Sequence, residues 1–268
     1  MTWERTFKGK TAWVTGASSG IGEALVKELV KKGAAVIASS NDPEGLSKMK
    51  ESCGESSGMI TCAPFDLSDT ADIEKTAGKI LKRFGAPDYL INIGGISQRA
   101  TIEETPLWLD RKIFEINYFG TITLTKAVLP YMIKRKSGHI LATSSISGRF
   151  GFPLRASYSA SKQALHGFFE TLYLENKKYN IRTSVIIPGR VRTNISFHAL
   201  DAKGNEHGKL DDGQAGGISP EKAARIIARG IMKNKREILV GGTELTLLYI
   251  RRICPWLFFR IADRIKST

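Results

Sequence analysis

The sequence predicts an α/β fold, a single-domain doubly wound parallel sheet of about seven strands with helices on both faces. Two observations support this prediction. Apolar runs of strand length alternate with segments of helical periodicity along nearly the whole chain of 268 residues. The first run, TAWVT at 11–15, leads into the glycine-rich turn GASSGIG and then into the amphipathic segment EALVKELVKKG. The length favours one domain with a large core, although two compact domains would also fit it.

Targeting signals and metal-binding patterns are missing from the sequence. Its apolar runs are too short to cross a bilayer, and the charged start MTWERTFKGK lacks the apolar core of a signal peptide. Cys53, Cys62 and Cys254 are unevenly placed and form neither a disulfide framework nor a zinc motif. We therefore expect a cytoplasmic protein with no metal site and with its cysteines in packing roles.

The net charge of +14 indicates an anionic partner. A cofactor phosphate, an anionic substrate, a membrane surface and nucleic acid are the classes to consider. The Lys and Arg residues are dispersed in short groups, and no zinc-finger or RNA-recognition signature accompanies them. We expect most of these charges to lie on solvated helix faces, and no nucleic-acid binding.

The glycine-rich turn predicts a dinucleotide site. Gly16, Gly20 and Gly22 remove side chains where the backbone must turn sharply and approach a pyrophosphate. The helix that follows presents its N-terminal amides to that charge. Strand, turn and helix in this order make the cofactor interpretation stronger than that of a merely structural loop.

The next segments repeat the βαβ pattern. Residues 34–39, 59–69 and 88–92 contain strands, and 43–52 and 71–85 read as helices. Asp66 follows the third strand, where its carboxylate would accept a hydrogen bond from an adenine amino group. A helix-capping role for Asp66 or Asp69 fits the spacing nearly as well.

The end of the second strand indicates which nicotinamide cofactor is bound. An acidic residue there would bind the ribose hydroxyls and repel a phosphate, but Ser40 and Asn41 occupy the position. We therefore predict NADP(H) in preference to NAD(H), although no arginine stands there to hold the phosphate. Asp42, one residue further, is expected to be a turn or cap residue.

The middle of the chain places a possible proton donor beside a cation. Residues 105–136 read as one long helix with Asn117 in its middle, where a tolerated polar core residue is the alternative. The strand at 138–145 ends at Ser145. Tyr158 and Lys162 are four residues apart and share one helix face, so the ammonium should favour the phenolate and make Tyr158 a usable acid. Ser145 would donate a hydrogen bond to the same carbonyl oxygen, which is the chemistry of carbonyl reduction.

These motifs, taken together, resemble the short-chain dehydrogenase/reductase family and its Rossmann-like fold. The matching segments are TGASSGIG at 15–22, DL at 66–67, NIGG at 92–95, NYFG at 117–120, Ser145, YSASK at 158–162 and PGRVRT at 188–193. The resemblance implies that Tyr158 donates the proton, that Lys162 lowers its pKa and holds the nicotinamide ribose, that Ser145 orients the carbonyl, and that Asn117 supports a proton relay.

The resemblance also implies a set of cofactor-binding residues and an assembly. The set comprises Gly16, Ser18, Ser19, Gly20, Ile21, Gly22, Ser40, Asn41, Asp66, Leu67, Asn92, Gly94, Tyr158, Lys162, Pro188, Gly189, Val191 and Thr193. The family pairs two long helices between subunits, which implies a homo-oligomer, a dimer or tetramer. One departure is Ile93, which replaces an asparagine common in the family and puts the local packing of the sheet in doubt.

The C-terminal part is predicted to choose the substrate. After a strand at 181–189, residues 194–218 are polar and glycine-rich, have little to bury, and match the family's mobile substrate lid. His198 and His207 are expected to be solvated loop residues. Residues 219–242 read as a helix capped by Ser219 and a last strand. The dehydrogenase domain is thus assigned to 1–243.

The remainder, 244–268, is predicted to be an amphipathic helical extension divided by Pro255. Its aromatic residues lie beside Arg251, Arg252 and Arg260. The extension would line the entrance for a lipid chain and touch an anionic membrane, or it would only complete the core.

The branch of the family that the chain most resembles is that of acyl/alkyl-dihydroxyacetone-phosphate reductase and its bacterial relatives. The segment FPLRASY and the C-terminal extension support that resemblance. It implies an apolar or lipid-like carbonyl substrate, with 3-oxoacyl, 3-ketosphinganine and steroid-type ketones as alternatives. A dinucleotide-binding redox sensor without turnover is the competing hypothesis.

Overall fold

A computed structural model describes residues 7–262, with the side chain at every position except 212. The segments 1–6 and 263–268, which include the end of the predicted extension, lie outside the described residues. Within 7–262, no helix is long and apolar enough to cross a membrane.

A seven-stranded parallel sheet forms the centre of the molecule, as predicted. Its order is β3-β2-β1-β4-β5-β6-β7. The strands are β1 Thr11–Thr15, β2 Ala35–Ser39, β3 Ile60–Cys62, β4 Tyr89–Asn92, β5 Gly138–Thr143, β6 Ile181–Pro188 and β7 Glu237–Val240. Strand order reverses between β1 and β4, and the carboxyl ends of the strands there border a crevice where open α/β sheets bind ligands.

Helices cover both faces of the sheet because both faces of its strands are apolar. The helices are α1 Gly20–Lys31, α2 Pro43–Glu51, α3 Thr70–Phe84, α4 Leu107–Phe114, α5 Gly120–Arg135, α6 Ala156–Asn176, α7 Asp212–Ala215, α8 Pro220–Met232, α9 Thr246–Ile253 and α10 Pro255–Ala262. One apolar cluster joins the sheet to α1, α2 and α8. The other joins it to α3, α5, α6 and the C-terminal helices.

Helix starts follow local sequence signals. Asp42 accepts a hydrogen bond from the Gly45 amide at 2.9 Å and caps α2, so its predicted cap role is confirmed. Ser219 caps α8 in the same way through the Lys222 amide at 3.2 Å. Capping by side-chain oxygens satisfies amides that have no partner within the helix.

The long helix predicted at 105–136 is not continuous. A π-helical turn, Glu115–Phe119, separates α4 from α5 and contains the fully buried Asn117. The apolar periodicity of the segment hid this turn, because one wider turn shifts the register only locally. Such turns occur frequently at functional sites, and this one points the Asn117 amide towards the loop after β4.

The C-terminal extension forms two helices divided at Pro255, as the sequence predicts. Phe258 of α10 is 2% exposed and packs on Phe150, with 4.7 Å between the ring centroids. Leu245 and Leu248 pack against the same apolar cluster. The described part of the extension thus completes the core on one face of the sheet.

Candidate active site

A cavity of about 430 Å³ lies at the carboxyl ends of the central strands. It brings together nearly all the residues predicted from the sequence. Among the predicted residues that line it are Gly16, Ser18, Ser19, Gly20, Ile21, Gly22, Ser40, Asn41, Asp66, Leu67, Gly94, Ser145, Tyr158, Lys162, Pro188, Gly189, Val191 and Thr193. Asn92 and Asn117 are not part of the lining.

The glycine-rich turn is shaped by close backbone approach. Gly16 has a φ of +63°, and a Cβ placed there would lie 2.7 Å from the Gly94 Cα. Ser19 makes no side-chain hydrogen bond to the first turn of α1, so the amides of that turn face the cavity without a capping side chain. A glycine cradle at a helix N-terminus fits the pyrophosphate of a dinucleotide.

The predicted adenosine end of the cavity contains short polar side chains. The hydroxyls of Ser18 and Ser40 are 2.9 Å apart. Asp66 lies on the cavity wall and accepts 2.8 Å hydrogen bonds from the Ser68 amide and hydroxyl. Asp69, not Asp66, caps α3 through the Asp72 amide at 3.0 Å. The structure thus assigns capping to Asp69 and leaves Asp66 at the cavity.

Asn92, predicted to bind cofactor, lies behind the cavity instead. Its Nδ2 donates to the Leu141 carbonyl at 3.0 Å and ties β4 to β5. Thr15 Oγ1 accepts from the amides of Ile93 and Gly94 at 3.1 and 3.2 Å, which joins β1 to the β4 loop. The sheet packing put in doubt by Ile93 is therefore maintained by Asn92 and Thr15.

Ser145 and Tyr158 both line the cavity wall. Ser145 stands where β5 ends and caps a short turn, accepting from the Ser147 amide at 3.1 Å. Tyr158 lies in the first turn of α6 and is buried. Burial raises the pKa of the Tyr158 phenol, while the Ser145 hydrogen bond and the charges of Arg155 and Arg99 act in the opposite direction.

Lys162 lies near Tyr158 on the same cavity wall. Its Nζ lies 5.9 Å from the Tyr158 ring centroid and donates to the Thr143 carbonyl at 2.8 Å. Burial lowers the pKa of Lys162 to about 8. Arg155 and Arg99 are further cations whose charges favour the Tyr158 phenolate.

Asn117 connects three parts of the site from behind the cavity wall. Its Oδ1 accepts from the Ile96 amide at 2.8 Å, and its Nδ2 donates to the Ile96 carbonyl at 3.0 Å and to Ser161 Oγ at 3.1 Å. The π-helical turn, the β4 loop and α6 are thereby fixed to one another. Space at this junction is tight, since a Cβ on Gly95 would lie 2.7 Å from Asn117 Oδ1 and 3.1 Å from Lys162 Nζ.

Sequence reasoning missed a second buried polar group behind the site. Ser144 Oγ donates to the Lys162 carbonyl at 2.8 Å and lies 2.8 Å from His166 Nε2. Burial, together with the charge of Arg149, lowers the pKa of His166 to about 4 and keeps the imidazole neutral. The turn of α6 that contains Lys162 is anchored to β5 in this way. The only sequence signal for this buried group was the serine that precedes Ser145.

Sequence reasoning also missed an ion cluster in the cavity wall. Asp211 accepts from Arg99 Nε at 3.2 Å, from Arg99 Nη2 at 2.5 Å and from Arg155 Nη2 at 2.7 Å. All three side chains line the same cavity as Tyr158. No sequence spacing links them, because Asp211 is separated from Arg99 by 112 positions and from Arg155 by 56.

The segment 194–218 buries more than the sequence predicts. Ser196, Ala199 and Asp211 are buried, and isolated bridges join Leu200 to Gln98 and Val191 to Ile218. The prediction that this segment has little to bury is therefore wrong, because several of its short side chains are buried. His198 is exposed, as predicted, but it also pairs with Glu206 at 2.8 Å and reaches the cavity wall.

Comparison with known proteins decides the family. The family model for short chain dehydrogenases matches residues 10–203. The chain is a short-chain dehydrogenase/reductase. It is 42% identical over 253 residues to dehydrogenase/reductase SDR family member 7B of Mus musculus, covering 92% of this chain and 78% of that protein.

Solved structures of the short-chain dehydrogenase/reductase family share the fold. A short-chain dehydrogenase from Streptomyces avermitilis superposes with a TM-score of 0.83 at 29% identity, covering 95% of this chain and 96% of that chain. A family member from Burkholderia phymatum, solved in complex with NAD, has a TM-score of 0.81 at 21% identity and covers 98% and 97% of the two chains. This chain is accordingly an oxidoreductase of the family with a nicotinamide dinucleotide site.

Proposed function

We propose that this enzyme is NADP(H)-dependent and interconverts a ketone and a secondary alcohol, with Tyr158 as the general acid and base. The observation that carries the proposal is the placement of Ser145, Tyr158 and Lys162 on the wall of one cavity. We expect both hydroxyls to act on a single carbonyl oxygen in the cavity.

Each residue of the proposed site has a separate role in the reduction. A bound nicotinamide supplies the hydride that the carbonyl carbon accepts. Tyr158 gives its phenolic proton to the carbonyl oxygen, and Ser145 donates a hydrogen bond to that oxygen as its charge develops. Lys162, cationic below a pH of about 8, donates to the Thr143 carbonyl at the end of β5 and would hold the nicotinamide ribose. In the oxidation direction the Tyr158 phenolate accepts the proton from the alcohol.

Turnover distinguishes this proposal from the redox-sensor alternative. A panel of ketones from short to long chain is assayed with NADPH, comparing the wild type with Tyr158→Phe. We expect the substitution to abolish turnover and to leave NADPH binding, followed by nicotinamide fluorescence, nearly unchanged. Tyr131→Phe, on an exposed face of α5, is the matched control. Equal rates for wild type and Tyr158→Phe would refute the mechanism, and no turnover on any ketone would favour the sensor.

The proposed preference for NADP(H) rests on the adenosine end of the cavity. Ser18, Ser40 and Asn41 line it, and Asp42 directs its carboxylate to the Gly45 amide. Hydroxyls and an amide can donate hydrogen bonds to a 2′-phosphate, whereas a carboxylate there would repel it. The NAD bound to the Burkholderia phymatum structure is a property of that protein.

We propose an apolar or lipid-like carbonyl substrate. Ile96, Ile116, Ile146, Phe152 and Ile195 form apolar parts of the cavity wall. The resemblance of the sequence to the acyl/alkyl-dihydroxyacetone-phosphate reductase branch suggests the same class, with 3-oxoacyl, 3-ketosphinganine and steroid-type ketones as alternatives. A predicted entrance lined by the C-terminal extension has no support in the described residues, since the lining runs from Thr15 to Gln214. The chain-length panel tests the substrate class, and a preference for short ketones would contradict it.

We also propose a cytoplasmic homo-oligomer assembled through the long helices. Phe119, Tyr131 and Leu174 on these helices expose 45%, 46% and 63% of their surface. Burying such side chains against a second copy would be favourable. Leu174→Glu should shift the sedimenting species towards monomer, and a wild type that sediments as a monomer at micromolar concentration would contradict the proposal.

A further inference from the structure

The ion cluster of Arg99, Asp211 and Arg155 joins three separate elements at the cavity. Arg99 lies in the loop after β4, Arg155 precedes α6 as its N-cap, and Asp211 belongs to the segment after β6. The side chains of Arg99 and Asp211 are 3% and 7% exposed, and that of Arg155 is 13% exposed. Their ion pairs are therefore shielded from the solvent that weakens surface pairs.

The geometry of the ion cluster is fixed by further hydrogen bonds. Arg99 Nη1 donates to Ser97 Oγ at 2.9 Å and to the Gln98 carbonyl at 2.5 Å. The Asp211 amide donates to Ser196 Oγ at 3.2 Å. The hydrogen bonds and charges of both arginines outweigh the effect of burial and hold the pKa of Asp211 below its usual range. The two guanidinium groups cannot move independently while Asp211 binds both.

This cluster stands close to the proposed proton donor. Arg155 precedes Tyr158 by three residues, which places it one turn away at the start of α6. Burial opposes ionisation of Tyr158, while Arg155 and Arg99 favour it. Other charged or titratable groups around this part of the site are Lys162 on α6, Asp110 on α4, His198, and Arg190 after β6. Lys162 is directed to the Thr143 carbonyl.

We propose that Arg99 and Arg155, held together by Asp211, are positioning residues that bring positive charge to the Tyr158 phenol and make its proton transfer effective. The inference rests on the proposed role of Tyr158. Asp211 belongs to the segment 194–218. The position of that segment and the ionisation of Tyr158 therefore depend on the same ion cluster. The ammonium of Lys162 keeps its charge while it donates to the Thr143 carbonyl, so the arginines add to the charge that Lys162 brings to the phenol.

Direct titration of Tyr158 tests the inference without a known substrate. Tyrosinate absorbance is followed against pH for each protein and for the same protein with Tyr158→Phe, so that the difference isolates Tyr158. In Arg99→Gln and Arg155→Gln we expect ionisation at higher pH than in the wild type. Arg99→Lys, which keeps the charge, should remain close to the wild type. Arg111→Gln, on an exposed face of α4, is the control.

Structural damage would give the opposite result, which keeps the test decisive. A loosened site would admit water to the phenol and lower its pKa, because burial is what raises it. With an alcohol that the wild type oxidises, the rate below the ionisation midpoint should fall about tenfold in the glutamine variants. An unchanged or lowered midpoint in both glutamine variants would overturn the inference. Equal activity of wild type and Tyr158→Phe would instead overturn the proposed function. The absorbance titration does not depend on that activity, so the two failures can be told apart.

Discussion

Phe258 of the C-terminal extension and Phe150 of the loop after Ser145 pack with their ring centroids 4.7 Å apart. The contact joins α10 to the segment that follows a proposed catalytic residue. Phe152, next to Phe150 at 5.4 Å between centroids, lines the cavity. The extension is thereby connected to the site through two aromatic rings, although no described residue of α9 or α10 lines the cavity.

The Phe258 contact predicts a stability effect. Phe258→Ala removes a buried ring and should lower the free energy of unfolding by about 3 kcal/mol. Phe259→Ala, at a neighbouring ring that is 56% exposed, is the control and should have a small effect. Urea denaturation of both variants provides the measurement. Equal effects would mean that the extension does not pack on the core as described.

Truncation before Glu244 should disturb the site as well as the core. Glu244 Oε1 accepts from the Arg190 amide at 2.7 Å and from the Gly242 amide at 3.0 Å, so it holds the loop after β6 in place. The core role of the extension, an alternative raised by the sequence, is supported by the packing of Phe258 on Phe150. A full-length Glu244→Gln variant separates the two effects, since it alters the loop and leaves Phe258 in place.

Gly95 is predicted to be intolerant of a side chain. In Gly95→Ala the added methyl would meet Asn117 Oδ1 and Lys162 Nζ, so the β4 loop would have to shift. We expect kcat to fall at least about tenfold, because small displacements of positioned groups are costly in catalysis. Gly78→Ala is the control, since its Cβ meets nothing within 4 Å and should stabilise α3 slightly. Unchanged kcat in Gly95→Ala would argue against the Asn117 junction.

A substitution at Ser40 should reverse the proposed cofactor preference. Ser40→Asp would place a carboxylate beside the Ser18 hydroxyl, which lies 2.9 Å from the Ser40 hydroxyl in the wild type. Repulsion should weaken NADPH binding while the carboxylate can accept hydrogen bonds from the ribose hydroxyls of NADH. Titration of both cofactors by nicotinamide fluorescence decides the matter. A wild type that binds NADH more tightly would refute the proposed NADP(H) preference.

Acid should destabilise the protein through buried histidines. Burial, together with Arg182, lowers the pKa of His139 from 6.5 to about 4. Its Nε2 donates to Ser184 Oγ at 2.7 Å, because Ser184 itself donates to the Lys235 carbonyl. The unfolded chain binds the proton more readily, so stability falls as pH drops from 6.5 towards 4.

The decrease in unfolding free energy at acid pH can be assigned to His139 by substitution. The pKa difference of His139 corresponds to a loss of about 3 kcal/mol at most. His139→Gln should have a smaller decrease in unfolding free energy between pH 7 and pH 4 than the wild type, measured by urea denaturation. His207→Gln, in the half-buried loop after β6, is the control. Equal pH dependence in wild type and His139→Gln would contradict the assignment.

The exposed face of the C-terminal helices predicts contact with anionic membranes. Ile253 and Trp256 expose 80% and 63% of their surface, and Arg252 and Arg260 lie near them. Exposed apolar side chains with neighbouring cations suit the boundary of an anionic bilayer. Flotation with phosphatidylserine vesicles should recover the protein at low salt and lose most of it with Trp256→Ala and Arg252→Glu together. Equal recovery with neutral phosphatidylcholine vesicles would contradict an electrostatic contribution.

The sequence by itself determined the sheet, the glycine turn and most of the residues that line the cavity. These features depend on local chemistry: apolar periodicity selects strands and helices, Gly16 permits its backbone conformation, and Asp42 and Ser219 cap the helices that follow them. The four-residue spacing of Tyr158 and Lys162 was equally visible. What such spacing leaves undetermined is the direction of a long side chain within its surroundings.

Only the tertiary structure decided how the site is charged and what supports it. Lys162 turns towards the Thr143 carbonyl because burial leaves that acceptor as its hydrogen-bond partner. Asn92 faces β5 instead of the cavity, and Asn117 lies in a π-helical turn that the apolar pattern concealed. Arg99 and Asp211 meet across 112 positions of sequence. Their contact arises from folding of the β4 loop against the segment after β6, and a pairing of that range leaves no local pattern in the sequence.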